Sequence, residues 1–427
     1  MQIKTFEEII NSVSFDDLKT VHLQWRLPQM QQALQYEKGE KEIKILKKGI
    51  EYANSYLKNK PRIQDNDTLK NIAHFARIIA QIHPGWENPD FEKDSFKRKV
   101  EALYNEQSRL PEDKRLKGDA LLTEFFKITA TTLQDNHLSI TNINGKWPME
   151  TEDINLWGSL KANHSKGSVG KNIAYYQDAF KGFKGNIDTK PIMISETQIN
   201  GKKVGIVALS TSKIGWGKES MQNQMDFWNL FQSEFEKRYK NWDNIIIDVR
   251  GNSGGTGGPV QRIAETLWGD KRPYCLSSQK RNTQEVTLQE IGHFPISEQP
   301  EWQETAFKGY KKGLYILCDK ETASGAEAIF PMLKDYPNVQ FIGENTSGCC
   351  QYGALRPVAL PCGGWVNIGS IFRRYSDGLI ECVGHKPNIN CSGQDAYQVC
   401  LNLIQQKTQS QQHAFSLIGE YKNKKSR

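Results

Sequence analysis

Residues Asn244 to Pro259 read NIIIDVRGNSGGTGGP. The continuous β-branched run Ile245 to Ile247 predicts a strand buried on both faces, and it breaks at once into a glycine-rich loop whose main-chain amides can approach a reacting carbonyl closely. Around this segment the chain alternates. VGIVAL, Val204 to Leu209, predicts a strand; Met221, Met225, Trp228, Phe231, Phe235 and Tyr239 follow at helical spacing; LYILC, Leu314 to Cys318, and the stretch Val339 to Ile342 predict further strands. Strands separated by helices predict an α/β core, and the aromatic stripe reads as part of its packing.

Directly after the Cys318 strand comes ETASGAEAIF, Glu321 to Phe330, which leads into a helical segment. Ser324 therefore falls at a strand-to-helix turn, where unused backbone N–H groups can receive a developing anion. A serine at a helix start is ordinarily an N-cap, and this stretch alone says no more. Upstream, LQDNHLSI, Leu133 to Ile140, ends a helical pattern (Leu121, Leu122, Phe125, Phe126, Ile128) and begins a short strand at Leu138, so His137 sits in a tight connection. By itself such a histidine reads as structural, and Glu381, in DGLIECVGHKPN, as a solvated strand-end charge. The glycine loop lacks the Lys-Ser or Lys-Thr ending of a nucleotide-phosphate loop.

As an ordered set these pieces resemble the C-terminal-processing (tail-specific) serine peptidase family, in its tricorn-core and interphotoreceptor retinoid-binding protein branch. The D-x-R-x-N-x-G-G loop corresponds to Asp248, Arg250, Asn252, Gly254 and Gly255, and the A-S-x-x-E motif to Ala323, Ser324 and Glu327. The G-E-x-T-x-G stretch corresponds to Gly343, Glu344, Thr346 and Gly348, and E-x-x-G-x-x-P to Glu381, Gly384 and Pro387. One position departs. The branch that uses a Ser-Lys dyad has its lysine base immediately after the G-E-x-T-x-G motif, where this chain has Cys349.

The tricorn-like branch takes its base from an upstream D-x-H element, and the resemblance implies that role for His137, with Glu381 and Asn136 orienting it. A serine hydroxyl needs such a base near neutral pH, and a carboxylate that fixes the imidazole tautomer also stabilises the imidazolium formed on attack. The tetrahedral oxyanion is then expected between the amide of Gly325 and an amide of the Gly254–Gly255 pair. The implied fold is a ClpP/crotonase-like ββα superhelix. The implied activity is hydrolysis of oligopeptides or unfolded chains through an acyl-enzyme on Ser324. Two other uses of the same fold stay open: an inactive carrier of apolar ligands, and a crotonase-like acyl-thioester enzyme with a carboxylate in place of serine chemistry.

Composition fits without selecting. The chain has 427 residues, 37% hydrophobic and 25% charged, with a formal net charge of +7 to which Lys422, Lys424, Lys425 and Arg427 contribute. That basic tail reads as solvated, so no nucleic-acid partner is expected, and no stretch reaches the roughly 20 apolar residues that cross a bilayer. The start, MQIKTFEEIINSV, predicts a helix capped by Thr5 and Glu8 and no signal peptide; a cytoplasmic location is expected. All eight cysteines lie from Cys275 to Cys400 without paired C-x-x-C spacing, and reduced thiols, no metal and no cofactor are expected. Cys349 and Cys350 read as packing residues, with a redox-sensitive switch as the alternative.

Four regions are expected: a mainly helical N-terminal domain over residues 1–117, broken at Pro28, Pro61, Pro84 and Pro111; a His137-bearing segment and irregular connection over 118–202; an α/β peptidase core over 203–405; and a basic tail over 406–427.

Overall fold

The computed structural model describes residues 3–36, 40–60, 67–87, 92–133, 135, 137–142, 192–209, 227, 229–255, 257–270, 277–280, 309–349, 351–353, 356–369, 371–374 and 381–409. Asn136, Pro61, Met221, Met225, Trp228, Cys350, the connection through residues 164–172 and Gly182 to Gly185, and residues 410–427 lie outside them. The chain divides into two compact units, each assembled from three stretches. The first comprises Met1–Ser165, Cys275–Trp302 and Gln351–Cys382, and the second Lys166–Tyr274, Gln303–Cys350 and Val383–Arg427.

Six helices open the first unit: α1 (Phe6–Ile10), α2 (Phe15–Tyr36), α3 (Glu40–Leu57), α4 (Thr68–Ile82), α5 (Lys93–Arg109) and α6 (Gly118–Thr132). The capping box forms as the sequence predicts, with the Thr5 side chain accepting from the Glu8 N–H and the Glu8 carboxylate accepting from the Thr5 N–H. α4 and α6 bury aromatic faces against each other, and the rings of Phe75 and Phe125 stack 4.2 Å apart. Pro84 and Pro111 fall just beyond the ends of α4 and α5. Pro28 does not end its helix and lies inside α2. An interior proline costs a helix about 3 kcal/mol, and here the apolar stripe on both sides of it, Leu23 and Met30, packs with Leu46 and Ala53 of α3 and offsets that cost.

Two small antiparallel sheets complete this unit. β1 (Ser139–Thr141), β10 (Trp365–Ile368) and β9 (Arg356–Ala359) form one in the order β1-β10-β9, while β5 (Ser277–Lys280), β11 (Ile371–Arg374) and β8 (Tyr352–Gly353) form the other in the order β5-β11-β8. The Asn71 carboxamide of α4 accepts the Cys362 N–H from the β9–β10 turn, so helix and hairpin share one core. α6 hands the chain to β1 through the short connection that carries His137.

The second unit is built on a six-stranded sheet in the order β12-β7-β6-β4-β3-β2, from β2 (Met193–Ile199), β3 (Lys202–Ala208), β4 (Asn244–Asp248), β6 (Gly313–Cys318), β7 (Val339–Gly343) and β12 (Ile389–Asn390). Only the β2–β3 pair is antiparallel. Period-two alternation sends Ile245 and Ile247 to one face, with Phe231, Phe235, Val260 and Leu267, and Ile246 to the other, with Tyr315, Leu317, Ala396 and Cys400. Both faces are covered, which is why β4 reads as an unbroken apolar run. The helices are α7 (Gly258–Trp268), α8 (Ile329–Leu333) and α9 over residues 396–409. Phe231 to Phe235, expected as α-helix, winds as a π-helical turn that keeps Phe231, Phe235 and Tyr239 stacked.

β4 and β6 are parallel neighbours, paired from Asn244–Gly313 to Asp248–Leu317. The chain therefore leaves both at the same edge of the sheet. In open α/β sheets that carboxyl edge is where ligands bind. Among the described residues no helix is long and apolar enough to cross a membrane.

Candidate active site

The loop after β4 and the turn after β6 are folded onto one another by buried hydrogen bonds. The Ala323 N–H donates to the Asn252 carbonyl at 3.0 Å, and the Thr322 hydroxyl donates to the Val249 carbonyl at 2.9 Å. Asp319, at the end of β6, accepts the N–H groups of Gly251, Thr322 and Glu321 at 2.8, 3.0 and 3.1 Å. Arg250 grips both oxygens of Asp248 and donates to the Gly393 carbonyl, and the Asn252 side-chain amide donates to the Leu209 carbonyl. The polar residues of the glycine-loop motif are thus scaffold.

Ser324 has φ +52°, a left-handed conformation that is uncommon for a residue with a side chain and costs on the order of 1–3 kcal/mol. The turn is held in it by Glu327, which is fully buried. One Glu327 oxygen accepts the N–H groups of Ser324 (2.9 Å) and Cys349 (2.8 Å), and the other accepts the Thr346 hydroxyl (2.5 Å) and the Gly348 N–H (2.9 Å). Ser324 and Glu327 have the S-x-x-E spacing of a capping box, whose glutamate half forms, and the first turn closes as 3₁₀ over Ser324–Ala326 before α8 begins. Cys349 is buried beside this anchor through its backbone and is a free thiol, as are Cys318, Cys362, Cys382, Cys391 and Cys400.

Gly254 lies directly against the serine. A Cβ there meets the Ala323 carbonyl oxygen and Ser324 Cβ at 2.5 Å and the Gly325 nitrogen at 2.9 Å, and its φ is +89°. Its own N–H donates to the Asn252 carboxamide oxygen at 3.0 Å. Of the two glycines, Gly254 thus has its amide engaged and is buried, while Gly255 is exposed. In the serine turn, Ser324 and Ala326 commit their N–H groups to Glu327 and the Ala323 carbonyl.

The histidine element belongs to the first unit. His137 is buried, with a side chain 7% exposed, and its Nδ1 lies 3.7 Å from Glu381 Oε1 and 4.0 Å from Asp135 Oδ1. Its backbone N–H donates to Asp135 Oδ1 at 2.7 Å, closing an Asx turn that sets the ring's origin. Asp135 Oδ2 faces His83 Nε2 at 2.9 Å. Glu381 is fixed reciprocally by Gln351, whose N–H donates to Glu381 Oε2 (2.7 Å) while the Glu381 N–H donates to Gln351 Oε1 (2.6 Å).

The two carboxylates beside His137 titrate apart. Burial pushes Glu381 up and the Asp135 charge adds to it, against the opposing hydrogen bonds from His137 and the Gln351 N–H. Burial also acts to raise Asp135, but the His83 hydrogen bond and the charges of both imidazoles outweigh it and hold the group low. Of the two, Asp135 is the carboxylate held below its ordinary value. Sequence reading passed over this role, although the carboxylate two residues before a backbone N–H carries the Asx-turn signal; His83 has no such signal, being joined to the element only by the fold.

The second unit is an α/β domain with a serine on a strained turn at the carboxyl edge of its sheet. Residues 203–389 match the model of Peptidase family S41, so the chain carries an S41 peptidase domain; the match begins beyond His137. The chain is 25% identical over 217 residues to carboxy-terminal processing protease CtpB of Bacillus subtilis (strain 168), covering 49% of this chain and 39% of that protein. It is 26% identical over 123 residues to the nisin-resistance protein of Lactococcus lactis subsp. lactis, covering 29% and 38% respectively. It therefore spans about two fifths of the length of these curated relatives. Its fold is similar to that of a putative peptidase from Parabacteroides merdae ATCC 43184, with a TM-score of 0.52 over 79% of this chain and 97% of that one at 13% identity.

Proposed function

We propose that the chain is a serine peptidase that cleaves peptide bonds in oligopeptides or unfolded chains through an acyl-enzyme on Ser324. The observation that carries this reading is the Ser324 turn: a non-glycine residue held at φ +52° by a buried glutamate, with a glycine backbone against it, inside an S41 peptidase domain. Ser324 Oγ attacks the scissile carbonyl carbon while His137 takes the hydroxyl proton. The oxyanion is received by the amides of Gly325 and Gly255. On collapse the C–N bond breaks and His137 returns the proton to the leaving amine; water then hydrolyses the ester by the same base. Asp135 and Glu381 face the imidazolium that forms in both halves of the reaction. A relative named for carboxy-terminal processing supports a peptide substrate approached near its end.

A fluorophosphonate probe tests the reading directly. The wild type is expected to label, and Ser324→Ala and His137→Ala are expected to lose labelling and peptide hydrolysis together. A wild-type chain that stays unlabelled while folded removes the proposal. Mass spectrometry of products from a peptide library then gives the cleavage site.

A further inference from the structure

We propose that His83 is a positioning residue for the reaction, holding the base His137 in place through Asp135. The inference rests on His137 being the base. His83 caps the end of α4, its backbone N–H donating to the Ile79 carbonyl, and its ring packs 4.8 Å from that of Tyr352. The Gly85 N–H donates to His83 Nδ1 at 3.1 Å, which places the ring proton on Nε2, facing Asp135 Oδ2 at 2.9 Å. The side chains of His83 and Asp135 are both 0% exposed.

The two oxygens of Asp135 are divided between two histidines. Oδ2 is held by His83, and Oδ1 holds the His137 backbone at 2.7 Å and lies 4.0 Å from its Nδ1. A carboxylate with no exposed surface is costly to keep ionised, and an apolar pair of the same size serves stability at least as well. What an apolar pair cannot supply is a fixed anion beside an imidazole that must become a cation. The His83 N–H opposes the burial that otherwise drives Asp135 to bind a proton. The relay runs from the rigid end of α4 to the connection after α6, so the base is set by two helix ends and not by its loop alone.

The test compares His83→Gln, whose side-chain amide reaches the Nε2 position, with His83→Asn, whose shorter amide does not. kcat is expressed per site titrated by the fluorophosphonate probe, so that unfolded chains are not counted. His83→Asn is expected to lower per-site kcat roughly 10- to 100-fold, the usual cost of removing a partner that orients a functional histidine, with KM unchanged. His83→Gln is expected to stay within about threefold of wild type on the same scale. In an Asp135→Asn background the His83→Asn substitution should cost nothing further, because the carboxylate through which it acts is gone.

Two results overturn the proposal. One is a reduced number of titrated sites at unchanged per-site kcat in both His83 variants, which makes the pair a structural contact only. The other is a His83→Asn loss that multiplies undiminished with that of Asp135→Asn. Wild-type turnover in His137→Ala is a different failure, since it removes the base itself and the relay with it.

Discussion

The proposed nucleophile and the proposed base are positioned by different physics. In the second unit Ser324 is held by main chain: a left-handed φ, a glycine in van der Waals contact, and buried carboxylates, Glu327 and Asp319, that collect backbone N–H groups. In the first unit His137 is held by side chains, with Asp135 and Glu381 facing its imidazole and His83 bonded to Asp135. A hydroxyl has to sit at one point, which backbone geometry fixes most stiffly. A base has to change charge, which ionisable neighbours accommodate. The difference teaches that volume should be the sensitive variable in one unit and charge in the other.

Gly254→Ala is the strongest way to break that comparison. The added methyl carries no charge, yet it needs the space of the Ala323 carbonyl and Ser324 Cβ, each 2.5 Å away, at a φ of +89°. Displacing the serine by an ångström costs on the order of 100-fold in rate, and kcat/KM for a peptide should fall by at least about that much. Gly118, with φ +54° and nothing near its Cβ position, is the control for backbone strain without a clash. If Gly254→Ala turns over like Gly118→Ala, volume at the serine is not what limits the reaction.

Glu327→Gln sharpens the same point with almost no change in size. The carboxylate has four donors, two on each oxygen, and an amide nitrogen would face two of them with its own N–H groups. Leaving buried donors unmet costs about 1–3 kcal/mol each, so a loss near 3 kcal/mol in urea unfolding is expected, with Ser324 labelling slowed in the chains that remain folded. Unchanged stability means that the four hydrogen bonds do not hold the turn.

This contrast was unevenly legible in the sequence. The buried β4 run, the β6 strand and the serine turn could be read because each is a local pattern: apolar continuity, a following glycine loop, and a serine at a strand-to-helix junction. His137 and Glu381 could be named only as a resemblance, and the fold then brings them to 3.7 Å within one unit. The left-handed Ser324 could not be read, because it depends on Glu327 folding back under a loop some 20 residues later. His83 was invisible for a related reason: nothing in its neighbourhood says that the end of α4 meets the end of α6. Pro28 misled in the opposite direction, since the packing of α2 against α3 overrides a local rule.

The smallest expected effect separates the two regions by the sign of a pH slope. Asp319 is 1% exposed, and burial pushes its carboxyl up to about 6, with the Asp248 charge adding to burial and the hydrogen bonds from Gly251 N–H and Thr322 opposing it. Its folded value lies above the ordinary 3.8, so its contribution to stability is complete below about pH 4 and is lost as pH rises through about 6. Asp135 runs the other way. Held below its ordinary value, it contributes above that value, and the contribution is lost as pH falls through the folded one. A tenfold change in proton affinity on folding is worth about 1.4 kcal/mol, so Asp319→Asn should shrink the drop in stability between about pH 4 and pH 7 by roughly 2 kcal/mol. Asp135→Asn should instead remove part of the loss on the acid side. Urea unfolding of the full chain at several pH values, followed by its tryptophan fluorescence, reads both slopes. Slope changes of the same sign in the two variants mean that the buried carboxylates of the serine turn and of the histidine relay are not tuned in opposite directions.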